Sequence, residues 1–205
     1  MQKTVYHMHS MQKFASNTAG LLAVISLASC ASTNDVTSIK QRLENPLFAE
    51  RYAESMVDRL VELDIVKDPI MEDAGKKAFV DEQRKHWLEV SRSARAAQRE
   101  GTQGNLISLG EYAKGDILYV DDLLYFGPLF EIDPLPSLHI YLTTVVDPRD
   151  AAFPDETAMN LGPLQSAYGA QTYTVPAVDN PLLYRTVVLW DKDLGRLHSF
   201  AQLGK

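Results

Sequence analysis

Two periodicities divide the chain. Between residues 45 and 103 apolar residues recur every three or four positions, and from Asn105 onward they alternate or run in short blocks. Asn45-Pro46 joins a capping side chain to a residue suited to a first helical turn, so it predicts a helix start. Phe48, Tyr52, Met56 and Leu60 then recur at intervals of four and predict a face that needs burying. Asp68-Pro69 predicts a second start, with a helix running to Arg99 that buries Ala78, Phe79, Trp87, Leu88, Val90 and Ala94. Gly101 and Gly104 are expected to end it. The reading is a helical hairpin over residues 45–103 that also covers part of the region C-terminal to it.

Beyond residue 104 the composition is that of short strands. Leu138 to Thr143 alternates, and Arg185 to Trp190 and Leu197 to Ala201 are rich in β-branched and aromatic residues. Asp116 to Val120 and Leu123 to Phe126 are further candidates. Turn signals at Gly127-Pro128, Pro134 to Pro136, Asp147-Pro148 and Gly162-Pro163 separate them. The fold class expected is α+β: an N-terminal helical hairpin, then an antiparallel all-β sandwich or barrel over residues 104–205.

The first thirty residues obey a different rule. Lys3 and Lys13 precede the apolar run Ala19 to Ser29, with no acid among them. That order is the order of a secretory signal peptide, residues 1–29, and the run is shorter than the roughly 20 residues a spanning helix needs. It ends in Leu27-Ala28-Ser29-Cys30, which resembles the lipobox of bacterial lipoproteins. The resemblance implies a diacylglycerol on the Cys30 thiol and cleavage just before it. Translation from Met1 or from Met11 is compatible with this reading. Residues 30–44, rich in Ser, Thr and Asn up to about Lys40, then read as a tether. The expected location is extracytoplasmic and lipid-anchored to a bacterial membrane. Ala31 after the cysteine, in place of aspartate, favours the outer membrane if the host is Gram-negative.

Composition narrows the options. A net charge of -7 becomes -9 once Lys3 and Lys13 leave with the signal, which excludes the basic surface that nucleic acid requires. An acidic chain has little attraction for anionic lipid, so covalent acylation is the membrane contact expected. Cys30 is the one cysteine, so thiol redox chemistry and thiolate metal sites are excluded from the folded part.

From about Gly104 to Leu203 three segments carry a family resemblance. They are Pro136-Ser137-Leu138-His139-Ile140-Tyr141-Leu142; Leu161-Gly162-Pro163-Leu164 continuing through Gly169-Ala170-Gln171-Thr172-Tyr173-Thr174-Val175-Pro176; and Val187-Val188-Leu189-Trp190-Asp191-Lys192 with the closing Phe200-Ala201-Gln202-Leu203. Together they resemble the DM-thirteen domain, a small all-β module of extracytoplasmic proteins. The resemblance implies a role in electron transfer, centred in many members on a cysteine that comes after an aromatic residue in the penultimate strand. Here Asp191 comes after Trp190 at that position. An aspartate can neither cycle as a thiol nor ligate haem as a thiolate.

Other chemistry has thin support in the sequence. His139, His198 and Met159 are the residues from which a haem site could be drawn, without any C-x-x-C-H attachment motif. His86 reads as a surface residue of a charged helix, and His7 and His9 leave with the signal. Carboxylates gather at Asp121-Asp122, Asp147 with Asp150, Asp155-Glu156, and Asp191 with Asp193; turn formation explains them more simply than calcium. Gly162 and Gly169 read as turn residues, and Tyr112, Tyr119, Tyr125, Tyr141, Tyr168, Tyr173 and Tyr184 mainly as packing. No catalytic set, resident cofactor or metal site is expected. The leading expectation is a non-catalytic module that binds an envelope protein, a glycan or a small ligand. An electron-transfer component with a bound cofactor such as haem or a metal is the alternative, and a hydrolase of dispersed acids comes last.

Overall fold

The computed structural model describes residues 38–205. The expected signal peptide, the Leu27-Ala28-Ser29-Cys30 lipobox and most of the expected tether lie outside the described residues. In the described part of the expected tether the chain makes a single helical turn, α1 (Ile39–Arg42), with Ser38 and Gln41 capping each other reciprocally.

Helix α2 (Pro46–Ile65) begins where Asn45-Pro46 predicts. Asn45 Oδ1 accepts from the Leu47 N–H at 3.0 Å, while its Nδ2 donates to the Phe126 carbonyl at 2.9 Å. One buried side chain therefore both caps the helix and fastens it to the β domain. Asn45→Ala should cost about 2 kcal/mol, through the lost cap and an unpaired buried carbonyl. Thermal unfolding of the full chain is the check, and a fall in Tm of under about 1 °C would contradict this dual role.

The second helix starts later than expected. Asp68-Pro69 opens only a 3₁₀ turn, Pro69–Glu72, and α3 (Ala74–Glu100) is capped by Asp73, which accepts from Gly75 and Lys76. The residues that α2 and α3 bury most deeply are small or polar: Ala49, Ala53, Ser91, Ala94 and Gln98, with Leu47 and Val80. The expected face of Phe48, Tyr52, Met56 and Leu60 is only half-buried. Tyr52 meets Trp87 edge-on at 5.2 Å. Ala78 and Leu88 are exposed, and Phe79 is 61% exposed because its neighbour Val80 takes the buried side. Arg95, paired with Glu50 and Glu54, and Arg84, paired with Asp64, fasten the hairpin along its length. Among the described residues no helix is long and apolar enough to cross a membrane.

The β domain is one eight-stranded antiparallel sheet curled into a nearly closed barrel, with a separate two-stranded ribbon, β2 (Ala113–Lys114) with β5 (Glu131–Ile132). Its strands are β1 (Thr102–Ser108), β3 (Asp116–Val120), β4 (Leu123–Phe126), β6 (Leu138–Thr143), β7 (Met159–Pro163), β8 (Gln171–Thr174), β9 (Thr186–Asp191) and β10 (Arg196–Gln202). The order across the sheet is β7-β6-β9-β10-β1-β3-β4-β8. Met159, read as a loop residue, opens β7 opposite Leu142. Gly104, read as a helix terminator, lies inside β1, where a Cβ would stand 2.2 Å from the Gln202 carbonyl oxygen. Only glycine lets β1 pass from β3 to β10 at that separation.

Buried residues of six strands meet in a single interior, Ile117, Leu124, Phe126, Ile140, Leu142, Tyr173, Val187, Leu189 and Ala201, with Leu106 of β1 and Met159 of β7 packed against them. Alternate residues point outward but are also covered. Leu118, Val120 and Tyr125 pack under Leu47 of α2, and Tyr141, Val188 and Phe200 pack under Phe153 of the connection between β6 and β7. Burial on both faces is why β3, β4 and β9 read as continuous apolar runs.

Candidate functional site

Two places in the barrel merit a functional reading, the end of β9 and the turn between β3 and β4. Asp191 ends β9 and is wholly buried. Its Oδ1 accepts from the backbone N–H groups of Asp193 at 3.1 Å and Leu194 at 2.9 Å. Its Oδ2 accepts from Ser137 N–H at 3.1 Å, and the Lys192 N–H returns a bond to the Ser137 carbonyl at 3.0 Å. The carboxylate thus folds the β9–β10 turn onto itself and ties it to the start of β6. Burial alone would push its pKa up. Donation from Leu194, Ser137 and Asp193, with the nearby Arg196 charge, outweighs burial and holds it below the ordinary carboxylate range.

His198 lies on the adjacent strand, at an irregularity in the β9–β10 register, and is fully buried. Its Nε2 is 2.9 Å from the Asp133 carbonyl, which can only accept, so this nitrogen carries the proton. Nδ1, 2.9 Å from Ser199 Oγ, then accepts from that hydroxyl. Burial lowers the ring's pKa and keeps it neutral. Both ring nitrogens are engaged. His139 stands opposite Trp190 on the outer face of β6, its Nδ1 3.2 Å from the Ser137 carbonyl, whereas Met159 packs into the interior. The three residues from which a haem site could be drawn therefore do not converge on one centre, and the donor set does not fit that group.

The acidic pairs are also dispersed. Asp147 forms an ion pair with Arg149 at 2.5 Å, and the Arg149 hydrogen bonds hold its carboxyl at about 2. Asp155 accepts from Thr143 Oγ1 at 2.7 Å and from Thr157 N–H at 2.8 Å. Asp121 and Asp122 form the β3–β4 turn with left-handed φ of 51° and 57°, a conformation aspartate tolerates in tight hairpins. Among the described residues no group of three His, Cys, Asp or Glu is placed to hold a metal ion. His86 is an exposed residue of α3.

Beside that turn lies a cleft of about 430 Å³ lined by Gly101, Thr102, Tyr119, Asp122, Asn180 and Leu182, among others. Thr102 and Tyr119 face each other across β1 and β3. Neither Thr102 Oγ1 nor the Tyr119 hydroxyl has a hydrogen-bond partner, although both atoms are buried. Of these residues the sequence singles out Tyr119 among the aromatics and Asp121-Asp122 among the carboxylates. It gives no sign of Thr102, since only the β1–β3 register sets it opposite Tyr119. Tyr125 and Tyr141 pack the outer faces, while Tyr112 and Tyr168 are exposed.

The Gln171-Thr172-Tyr173 stretch closes the barrel. Gln171 Nε2 donates to the Ser166 carbonyl at 2.7 Å and its Oε1 accepts from Ser166 N–H at 3.1 Å. The Tyr173 hydroxyl donates to Gln171 Oε1 at 3.0 Å and accepts from Gln165 N–H at 2.9 Å. Desolvation pushes the Tyr173 pKa up to about 12, so it remains a donor at any ordinary pH. Gly169, at a φ of 81°, and Gly162, at 116°, supply the left-handed positions of this stretch. These residues hold the link between edge strands β7 and β8 at the seam of the barrel. A family model described as Electron transfer DM13 matches residues 105–203. The β domain of this chain is a DM13 domain. No curated protein and no solved structure matches the chain. Within the DM13 domain, β9 is the penultimate strand and Asp191 its last residue, so the position that the resemblance assigns to a cysteine holds a carboxylate already committed to backbone donors.

Proposed function

We propose that the protein is a lipid-anchored module of the bacterial cell envelope whose DM13 domain binds a ligand or a protein partner. The observation that carries this reading is Asp191. With an aspartate whose two oxygens both accept from backbone N–H groups at this position, and no cysteine elsewhere in the β domain, the domain does not run a thiol cycle. The Leu27-Ala28-Ser29-Cys30 sequence supports anchoring through acyl chains, and Ala31 supports an outer-membrane destination.

Anchoring is tested with Cys30→Ser expressed from the natural start. The expected result is loss of radiolabelled fatty acid and transfer of essentially all of the protein from the membrane pellet to the soluble fraction. A variant that stays in the pellet and keeps its label would refute lipidation at Cys30. Binding is tested by crosslinking in native membranes and mass spectrometry of the products. The description of the family favours a second reading, electron transfer through a bound cofactor. A Soret band or a whole-number content of iron or copper in protein purified from its own membranes would replace the first reading with the second.

A further inference from the structure

Four large apolar residues stand exposed at the free end of the hairpin: Ile65, 75% exposed, at the end of α2, Val66 and Ile70 in the turn, and Phe79, 61% exposed, near the start of α3. We propose that this tip sits in the interfacial region of the bilayer that holds Cys30, so that the hairpin is a strut between membrane and barrel. The proposal rests on the reading of the protein as lipid-anchored. None of the four joins a core cluster, and the helices close on each other through Ala49, Ala53, Val80 and Ala94 instead. Folding alone therefore gives these side chains no burial, and a concentration of exposed apolar residues marks a contact surface. The barrel grips the opposite end of the hairpin. There Asn45 Nδ2 donates to the Phe126 carbonyl, Leu47 packs on Leu118, Val120 and Tyr125, and the Gln98 and Glu100 carbonyls accept from Gln103 Nε2 and Lys205 Nζ. The twenty residues of α2 place the tip about 30 Å from that grip.

Reach decides what the tip meets. Cys30 precedes Ser38 by eight residues, a span of at most about 29 Å whatever its conformation. Leu43 and Glu44, just after α1, share a groove with His86, Glu89 and Val90, so the chain enters along the flank of the hairpin. A bilayer that holds Cys30 thus lies within one hairpin length of that flank, where the tip can touch it. The acyl chains keep the bilayer at high local concentration, so a few side chains suffice for a contact too weak to form alone. This agrees with the release expected of Cys30→Ser. Charge sets the kind of contact. From Asp64 to Lys77 the chain carries Asp64, Asp68, Glu72 and Asp73 against Lys67, Lys76 and Lys77, so it has no net attraction for anionic headgroups. Asp64 pairs with Arg84, and Asp68 and Asp73 cap the 3₁₀ turn and α3, which keeps these carboxylates on protein partners. Lysine stems can lie along the apolar surface with their ammonium groups at phosphate level. The contact is apolar, and zwitterionic lipid suffices for it.

The test places one thiol-reactive fluorophore on Ile65→Cys, on Phe79→Cys or, as a reference on the barrel, on Tyr168→Cys, in protein purified from its own membranes. All three positions are exposed, so the substitutions leave the packing intact, and an acylated Cys30 does not take the label. Each protein is reconstituted into phosphatidylcholine vesicles whose acyl chains carry nitroxide quenchers. The tip probes should lose about half of their emission or more and the reference under about a tenth, with no change in about 0.5 M salt. Tip probes quenched no more than the reference overturn the inference, whether they are open to aqueous iodide or shielded from it by a second copy or another protein. The acyl mass on Cys30 is measured in the same samples. Its presence with unquenched tips removes the strut alone, and its absence removes the anchored reading and the strut together.

Discussion

Asp191→Ala lowers the melting temperature by on the order of 5–10 °C and does so in a pH-dependent way. The substitution removes the acceptor from the N–H groups of Asp193 and Leu194 in the β9–β10 turn and of Ser137 at the start of β6, and so unties the two. Because the folded-state pKa lies below the ordinary 3.8, the carboxylate stabilises the fold fully above about pH 4–5. That contribution is lost as pH falls through the folded value. The gap in Tm between parent and variant should therefore be widest near neutrality and narrow steadily below about pH 4. Comparing the two proteins isolates Asp191 from Asp147 and Asp155, whose pKa values are also lowered. Asp191→Asn should fall between them, since it keeps one accepting oxygen but turns an N–H group toward one of the donors. A variant as stable as the parent at neutral pH would show that the carboxylate is not a structural clasp, and the site would again be open to a chemical role.

Phe126→Ala is expected to be the most damaging single truncation in the barrel, at about 3–5 kcal/mol. Phe126 is wholly buried and meets Phe130 edge-on at 4.8 Å and Tyr173 at 5.6 Å. It joins the interior to the seam, because Tyr173 also organises the link between the edge strands. Removing the ring leaves a cavity that neither partner can fill without disturbing the packing or hydrogen bonds that hold it. Chemical denaturation of the full chain would show a lower midpoint with an unchanged slope. A loss below about 1 kcal/mol would mean that the interior collapses freely around the gap.

The elements most legible in the sequence are those whose chemistry is local. Asn45-Pro46 places the start of α2 because a capping side chain and a first-turn proline act within a few residues. Asp116 to Val120 and Leu123 to Phe126 match β3 and β4 residue for residue, since burial on both faces leaves an unbroken apolar run. Asp68-Pro69 misplaces the start of α3 because one Asx-type cap can open a 3₁₀ turn as readily as a helix. The hairpin interface is hidden for a different reason. Large residues at intervals of four dominate the pattern, but close approach of α2 and α3 is made by Ala49, Ala53 and Ala94. Strands β1, β7 and β8 leave little trace because they are short or glycine-bearing and owe their extended form to their neighbours. Of the two sites, Asp191 stands out against the family pattern, whereas its three N–H donors have no linear signature. The cleft depends on a cross-strand register and on missing hydrogen bonds, neither of which a linear pattern encodes.

The sheet order has a kinetic consequence. β1, the first strand, is zipped between β3 and β10, the last, with Leu106 opposite Ala201. Nearly the whole domain must therefore be available before its first strand can find both neighbours. Such pairing carries a large loop-closure entropy and a high contact order, so the barrel should form late and all at once. The α2–α3 hairpin is complete by Glu100 and can pack before any strand exists, so the two halves of the described chain should gain their structure at different times, the hairpin first and the barrel only with its last strand.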